Sequence, residues 1–98
     1  MVVKRVHMVL KGKVQGVFFR DFAKQHANKL DIVGYARNLK GGNLEIVAQG
    51  EEKKVAEYIR LCRRGPIFAK VDDIQLEYED LAGNSGDEDD HEYFDIRY

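Results

Sequence analysis

Gly12-Lys13-Val14-Gln15-Gly16-Val17-Phe18-Phe19-Arg20 is the stretch across which the hydrophobic period of the chain changes. Upstream of it, Val6, Met8 and Leu10 alternate with Arg5, His7 and Lys11, and only Val9 breaks the polar series. A period of two is a strand with one buried face, so a strand is expected over Val6–Lys11. Downstream, Phe19, Phe22, Ala23, Ala27 and Leu30 recur at helical spacing, with Arg20, Asp21, Lys24, Gln25 and Lys29 elsewhere around the turn. That is an amphipathic helix over Phe19–Leu30. His26 shares the apolar spacing and reads as a boundary histidine at the edge of the core. Two glycines between strand and helix let the backbone take turns that a Cβ would forbid. The stretch ends in an arginine on the first helical turn. Such a turn presents unpaired N–H groups and the positive end of a helix dipole, and a guanidinium adds a planar fork that matches phosphate. The reading is a phosphate cradle.

Working outward, Ile32–Asn38 is β-branched and aromatic enough for a second strand, and Leu39-Lys40-Gly41-Gly42-Asn43 is a glycine-rich turn. Leu44–Gln49 alternates again and pairs back as a hairpin, with Gly50 ending it. Glu51–Arg64 places Val55, Tyr58, Ile59 and Cys62 on one helical stripe, acidic at its start, basic at its end, and stopped by Gly65-Pro66. Cys62 on that stripe reads as a small core residue. Val71–Glu79 puts Ile74, Leu76 and Tyr78 on one face of a fourth strand. The polar, acidic stretch 81–92 reads as a solvated surface loop, and Tyr93–Tyr98 as a short fifth strand. Asp89, Asp90, His91 and Glu92 sit in that loop without the fixed geometry a metal site needs. The order is β-α-β-β-α-β with a strand appended: an α+β split β-α-β arrangement, one antiparallel sheet with two helices on one face.

The chain has 98 residues, room for one domain spanning 1–98. Sixteen basic and seventeen acidic residues give a formal charge of -1, which argues against wholesale binding to nucleic acid or to a membrane. One cysteine excludes an internal disulfide and a cysteine-built zinc cage. No apolar run is long enough to span a bilayer or to serve a signal peptide, so the cytoplasm is the expected compartment.

The motifs exclude more than they include. Gly12 and Gly16 are too close for a nucleotide P-loop, and no Lys-Ser/Thr pair follows Gly16. The dinucleotide fingerprint, a zincin HExxH and a nucleophile elbow are all absent. Ser85, in the acidic loop, is the only serine, and there is no threonine. An RNA-recognition domain shares the element order but needs stacking aromatics, and the third strand has none. What is left is an oxyanion loop, Arg20, and Arg37 with Asn38 at the end of the second strand. Asn38 cannot act as a base but can hold a water. With no nucleophile or general acid in view, such a site suits phosphoryl transfer to water only when the leaving group is good. A carboxylate, whose acid has a pKa of roughly 4, is one. The residues by themselves leave both anion binding and hydrolysis open. Lys11, Lys13, Lys24, Arg37 and Lys40 are candidates for a positive rim that draws anions in.

Gly12 to Arg20 resembles the first signature of the acylphosphatases, and Gly34-Tyr35-Ala36-Arg37-Asn38 with Gly42 and Gly50 resembles the second. Gly65-Pro66, Ala69-Lys70-Val71-Asp72 and Phe94-Asp95-Ile96-Arg97-Tyr98 are also similar to that family, so the likeness runs over nearly the whole chain. Leu44 and Ala36 stand where valine is usual, and Asp31 where glycine is frequent. The resemblance implies a ferredoxin-like sandwich. It implies hydrolysis of the carboxyl–phosphate bond of acyl phosphates to carboxylate and inorganic phosphate, by in-line attack of water without metal or cofactor. It implies that Arg20 binds the phosphoryl group and Asn38 orients the water. Backbone N–H groups of Gln15, Gly16, Val17, Phe18 and Phe19 are implied to meet the phosphate oxygens. The expected partner is a small-molecule acyl phosphate, taken by a monomer. The rival is a non-catalytic module of the same fold that senses an anion or docks a partner.

Overall fold

A computed structural model describes residues 2–80 and 93–97. The acidic loop expected at 81–92, with Ser85 and its acidic and histidine residues, and Tyr98 lie outside the described residues. The elements are β1 (Val3–Lys13), α1 (Phe19–Lys29), β2 (Val33–Asn38), β3 (Leu44–Glu51), α2 (Glu52–Arg64), β4 (Lys70–Asp80) and β5 (Phe94–Arg97). Every expected element is present, and most of the ends lie within a residue or two of those expected. The largest extension is in β1, which starts at Val3 and continues through Gly12 to Lys13.

The sheet runs β4-β1-β3-β2-β5. β1 is antiparallel to both β3 and β4, and β2 is antiparallel to β3. β5 lies parallel to β2, which makes the sheet mixed where an antiparallel one was expected. With β4 on the β1 edge, the chain finds its open edge at β2 and enters it in the direction of that strand. A period of two encodes which face a strand buries and nothing about its partner or direction.

The core lies between the helices and one face of the sheet. Val6, Met8 and Leu10 of β1, Leu44, Ile46 and Ala48 of β3, Ala36 and Phe94 face Phe19, Ala23 and Ala27 of α1 and Val55, Tyr58, Ile59 and Cys62 of α2. Each large side chain buried there contributes about 1.5–3 kcal/mol. Phe22 and Leu30 flank this cluster, as the helical spacing predicts. Tyr58 ties the two helices together: its hydroxyl donates to the Ala23 carbonyl at 2.8 Å. Burial pushes the Cys62 thiol up to about 12, so it is a core residue and no nucleophile. The His26 ring packs 4.4 Å from that of Phe22, and burial, then the Lys29 and Arg64 charges, lower its pKa.

Gly34 fixes how closely β2 approaches β3. Its φ is +144°, and a Cβ there would lie 1.9 Å from the Val47 carbonyl oxygen. Backbone atoms within the ladder cannot yield, so we expect Gly34→Ala to cost about 3 kcal/mol or more. Urea unfolding followed by circular dichroism measures this; a midpoint like that of the wild type would contradict it.

On the sheet face away from the helices, Glu45 is only 9% exposed. His7 Nε2 lies 2.8 Å from its Oε2, and Arg37 Nη2 lies 2.7 Å from its Oε1. Burial alone would raise the Glu45 pKa; the hydrogen bond from His7 and the Arg37 charge outweigh it, and the carboxyl sits below its ordinary value. A depressed folded-state pKa stabilises the protein above the unfolded value and ceases to do so as pH falls through the folded one. His7 and Arg37 are half-exposed, so solvent screening reduces the effect. Glu45→Gln should therefore lose about 1–2 kcal/mol at pH 7. That deficit should shrink in unfolding titrations below the ordinary carboxylate range; a deficit independent of pH would contradict the assignment.

Candidate active site

The two glycines of the loop do different work. Gly12 belongs to β1, where the pairing with β4 shifts register between Lys11 and Gly12. Its φ is +124°, and a Cβ there would lie 2.3 Å from the Lys70 carbonyl oxygen. It is a bulge glycine at the strand end and is not among the residues that line the cleft described below. Gly16, with φ +70°, has no atom of the described residues beyond its chain neighbours within 4 Å of where its Cβ would be. That is the open space a ligand approaching the backbone requires.

The loop enters α1 through Phe18, which caps the helix in the left-handed conformation and offers no side-chain acceptor to the first-turn N–H groups. A serine or aspartate at this position would satisfy them. With phenylalanine there, no N-cap side chain satisfies the first-turn N–H groups. Phe19 anchors the turn, 2% exposed in the core. Gly65 lies against its ring, since a Cβ there would sit 2.9 Å from it.

Arg20 and Asn38 reach the same place from different elements, one on the first turn of α1 and the other ending β2. Both line a cleft of about 320 Å³, together with Val14, Gly16, Phe18, Phe19, Asp21 and Ile96. That volume is at the small end of ligand sites, the scale of a phosphate with a small substituent. Arg20 Nη1 donates to the Arg97 carbonyl at 3.2 Å, so β5 braces the guanidinium. The Arg97 guanidinium in turn lies 3.9 Å from the centre of the Tyr35 ring.

Of the other expected phosphate-loop residues, Gly16, Phe18 and Phe19 line the cleft, while Gln15 and Val17 are not among the lining residues. Val17 is 5% exposed and packs in the core. The Gln15 side chain donates from Nε2 to the carbonyls of Leu39 and Asn43, each at 2.8 Å. Those two residues bracket the β2–β3 turn, where the Leu39 N–H also donates to the Asn43 carbonyl. Gln15 thus straps the loop of Arg20 to the turn that begins immediately after Asn38. Arg37, a candidate for the positive rim, is paired with Glu45 on the outer face, and none of the four candidate lysines lines the cleft. Among the described residues no three His, Cys, Asp or Glu side chains converge. Nor is any helix among them long and apolar enough to cross a membrane.

Asp21 and Ile96 are cleft residues that sequence reasoning did not single out. Asp21 read as one more charge on a solvated helix face. Ile96 comes from β5, whose place beside β2 has no local signal.

The loop, helix start and strand end of a split β-α-β sandwich converge here on a small cleft that bears an arginine, the arrangement expected of a phosphate-handling domain. The acylphosphatase family model matches residues 6–96. An acylphosphatase of Dehalococcoides mccartyi is 41% identical over 91 residues, 92% of this chain and 93% of that protein. The crystal structure of acylphosphatase from Bacillus subtilis superposes with a TM-score of 0.86 at 29% identity, covering 97% of this chain and 99% of that one. Full-length HypF, crystallised in a phosphate- and nucleotide-bound form, contains a similar segment: TM-score 0.84 at 27% identity, over 100% of this chain and 12% of that one. The chain belongs to the acylphosphatase family, whose activity is the hydrolysis of acyl phosphates to carboxylate and phosphate.

Proposed function

We propose that the cleft between the β1–α1 loop and the end of β2 is where acyl phosphates are hydrolysed, with Arg20 and Asn38 as its catalytic residues. The observation that carries this is their convergence on one small cleft from separate elements. The phosphoryl group enters first. Backbone N–H groups of Gln15 to Phe19 and the Arg20 guanidinium hold its non-bridging oxygens. Asn38 holds a water opposite the acyl oxygen. The water oxygen forms the new bond to phosphorus as the phosphorus–acyl oxygen bond breaks. The bonding pair leaves with the carboxylate; one proton of the water stays on the attacking oxygen and the other passes to a second phosphate oxygen, giving carboxylate and dihydrogen phosphate from the acyl phosphate dianion and water. A carboxylate departs at neutral pH without a general acid. The protein's part is positioning and stabilisation of charge in the transition state. Gln15 acts as a positioning residue, setting the distance between the loop and Asn38.

On this reading Arg20 and the loop donors supply the positive potential, and turnover requires no metal or cofactor. The whole of 1–98 works as one domain, a cytoplasmic monomer with no nucleic-acid or membrane partner. The test is a spectrophotometric assay with benzoyl phosphate, with and without a chelator. Turnover unaffected by the chelator is the expected result. Loss of activity on chelation would overturn the metal-free mechanism. Phosphate binding without turnover would leave a non-catalytic binding module.

A further inference from the structure

Phe18 holds φ 62° and ψ 25°, the left-handed region that a bulky L-residue enters against its own sterics. The fold gains no burial from it, because the residue is 75% exposed. It lines the cleft, as does the half-buried Ile96. Strain of this kind concentrates where a ligand is met. The charged end of an acyl phosphate is accounted for by the loop donors and Arg20, so an exposed aromatic ring beside them faces the other end of the substrate. The remaining charge among the described lining residues is the exposed carboxylate of Asp21. It would oppose any acyl group carrying a negative charge of its own.

Resting on the reading of this cleft as the phosphate site, we propose that the Phe18 ring, with Ile96, is the platform for the acyl group, and that Asp21 turns anionic acyl groups away. The substrates of this chain are then acyl phosphates whose acyl part is uncharged and apolar, aromatic above all. A contact made equally in the ground and transition states acts through KM.

The test compares kcat/KM for benzoyl phosphate, acetyl phosphate and 4-carboxybenzoyl phosphate in the wild type and in variants. Glycine accepts the backbone of position 18 and keeps its N–H, so Phe18→Gly folds and retains the loop donor. It should lower the benzoyl-to-acetyl ratio about tenfold, chiefly through KM for benzoyl phosphate. Asp21→Asn should raise the ratio of 4-carboxybenzoyl to benzoyl phosphate about fivefold. Phe68, 68% exposed and outside the cleft lining, is the control; Phe68→Ala should leave both ratios as they are. An unchanged benzoyl-to-acetyl ratio in Phe18→Gly, or an equal fall in Phe68→Ala, overturns the proposal. Arg20→Ala separates the two levels. If it is inactive while the Phe18→Gly ratio is unchanged, only the acyl platform fails. If it turns over normally, the phosphate-site reading fails first.

Discussion

Arg20→Ala is expected to lose at least two to three orders of magnitude in kcat/KM for benzoyl phosphate, with inorganic phosphate no longer a measurable competitive inhibitor. Removing one preorganised donor to developing negative charge typically costs about 3–4 kcal/mol. On the proposed reading Arg20 combines that role with ground-state binding of a dianion, so both kcat and KM should suffer. Arg20→Lys should recover little. An ammonium supplies a point charge, whereas the guanidinium presents two parallel donors to the phosphate and a third direction in which to be braced. That brace is visible as the bond from Arg20 Nη1 to the Arg97 carbonyl. The bond is solvent-exposed, so its loss should cost only about 1 kcal/mol or less of folding stability. Steady-state kinetics with phosphate inhibition, together with thermal unfolding, checks both halves. A variant that keeps its phosphate affinity would remove Arg20 from the site.

Asn38→Ala separates binding from chemistry. Asn38 ends β2 and pairs with Leu44, contacts made by its backbone, so alanine keeps the strand. The inhibition constant of inorganic phosphate should change little, while kcat falls about a hundredfold or more, because an unpositioned water loses the advantage of orientation. Asn38→Asp tests the same point from the other side. The shape is kept, but a negative charge beside the phosphoryl group should weaken binding as well as turnover. If Asn38→Ala turns over at the wild-type rate, the water-positioning role is wrong.

The features readable in the sequence were those with a local cause. Alternation in β1 named Val6, Met8 and Leu10 as buried, and the stripe Val55, Tyr58, Ile59, Cys62 named the inner face of α2. Arg20 and Asn38 stood out by residue type beside a glycine turn and a strand end. Features set by distant partners were not readable. The parallel docking of β5 against β2 brings Ile96 and the Arg97 carbonyl to the site from the far end of the chain. The Gln15 side chain spends its donors on a turn twenty-four and twenty-eight residues away. Gly12 and Gly16 look alike in sequence, yet one is packed against the Lys70 carbonyl and the other faces open space. Asp31 has φ +55°, a left-handed conformation that glycine adopts without strain. Its carboxylate accepts from Lys54 Nζ at 3.2 Å, an exposed contact that contributes little.

On the proposed reading the backbone of the β1–α1 loop, completed by Arg20, is itself the phosphate ligand. Titration of ¹⁵N-labelled protein with inorganic phosphate, followed amide by amide, tests it most directly. Saturable shifts centred on the amides of Gln15 to Arg20, absent in Arg20→Ala, are the predicted result. Saturable shifts confined to another part of the fold, in protein that still hydrolyses benzoyl phosphate, would contradict it.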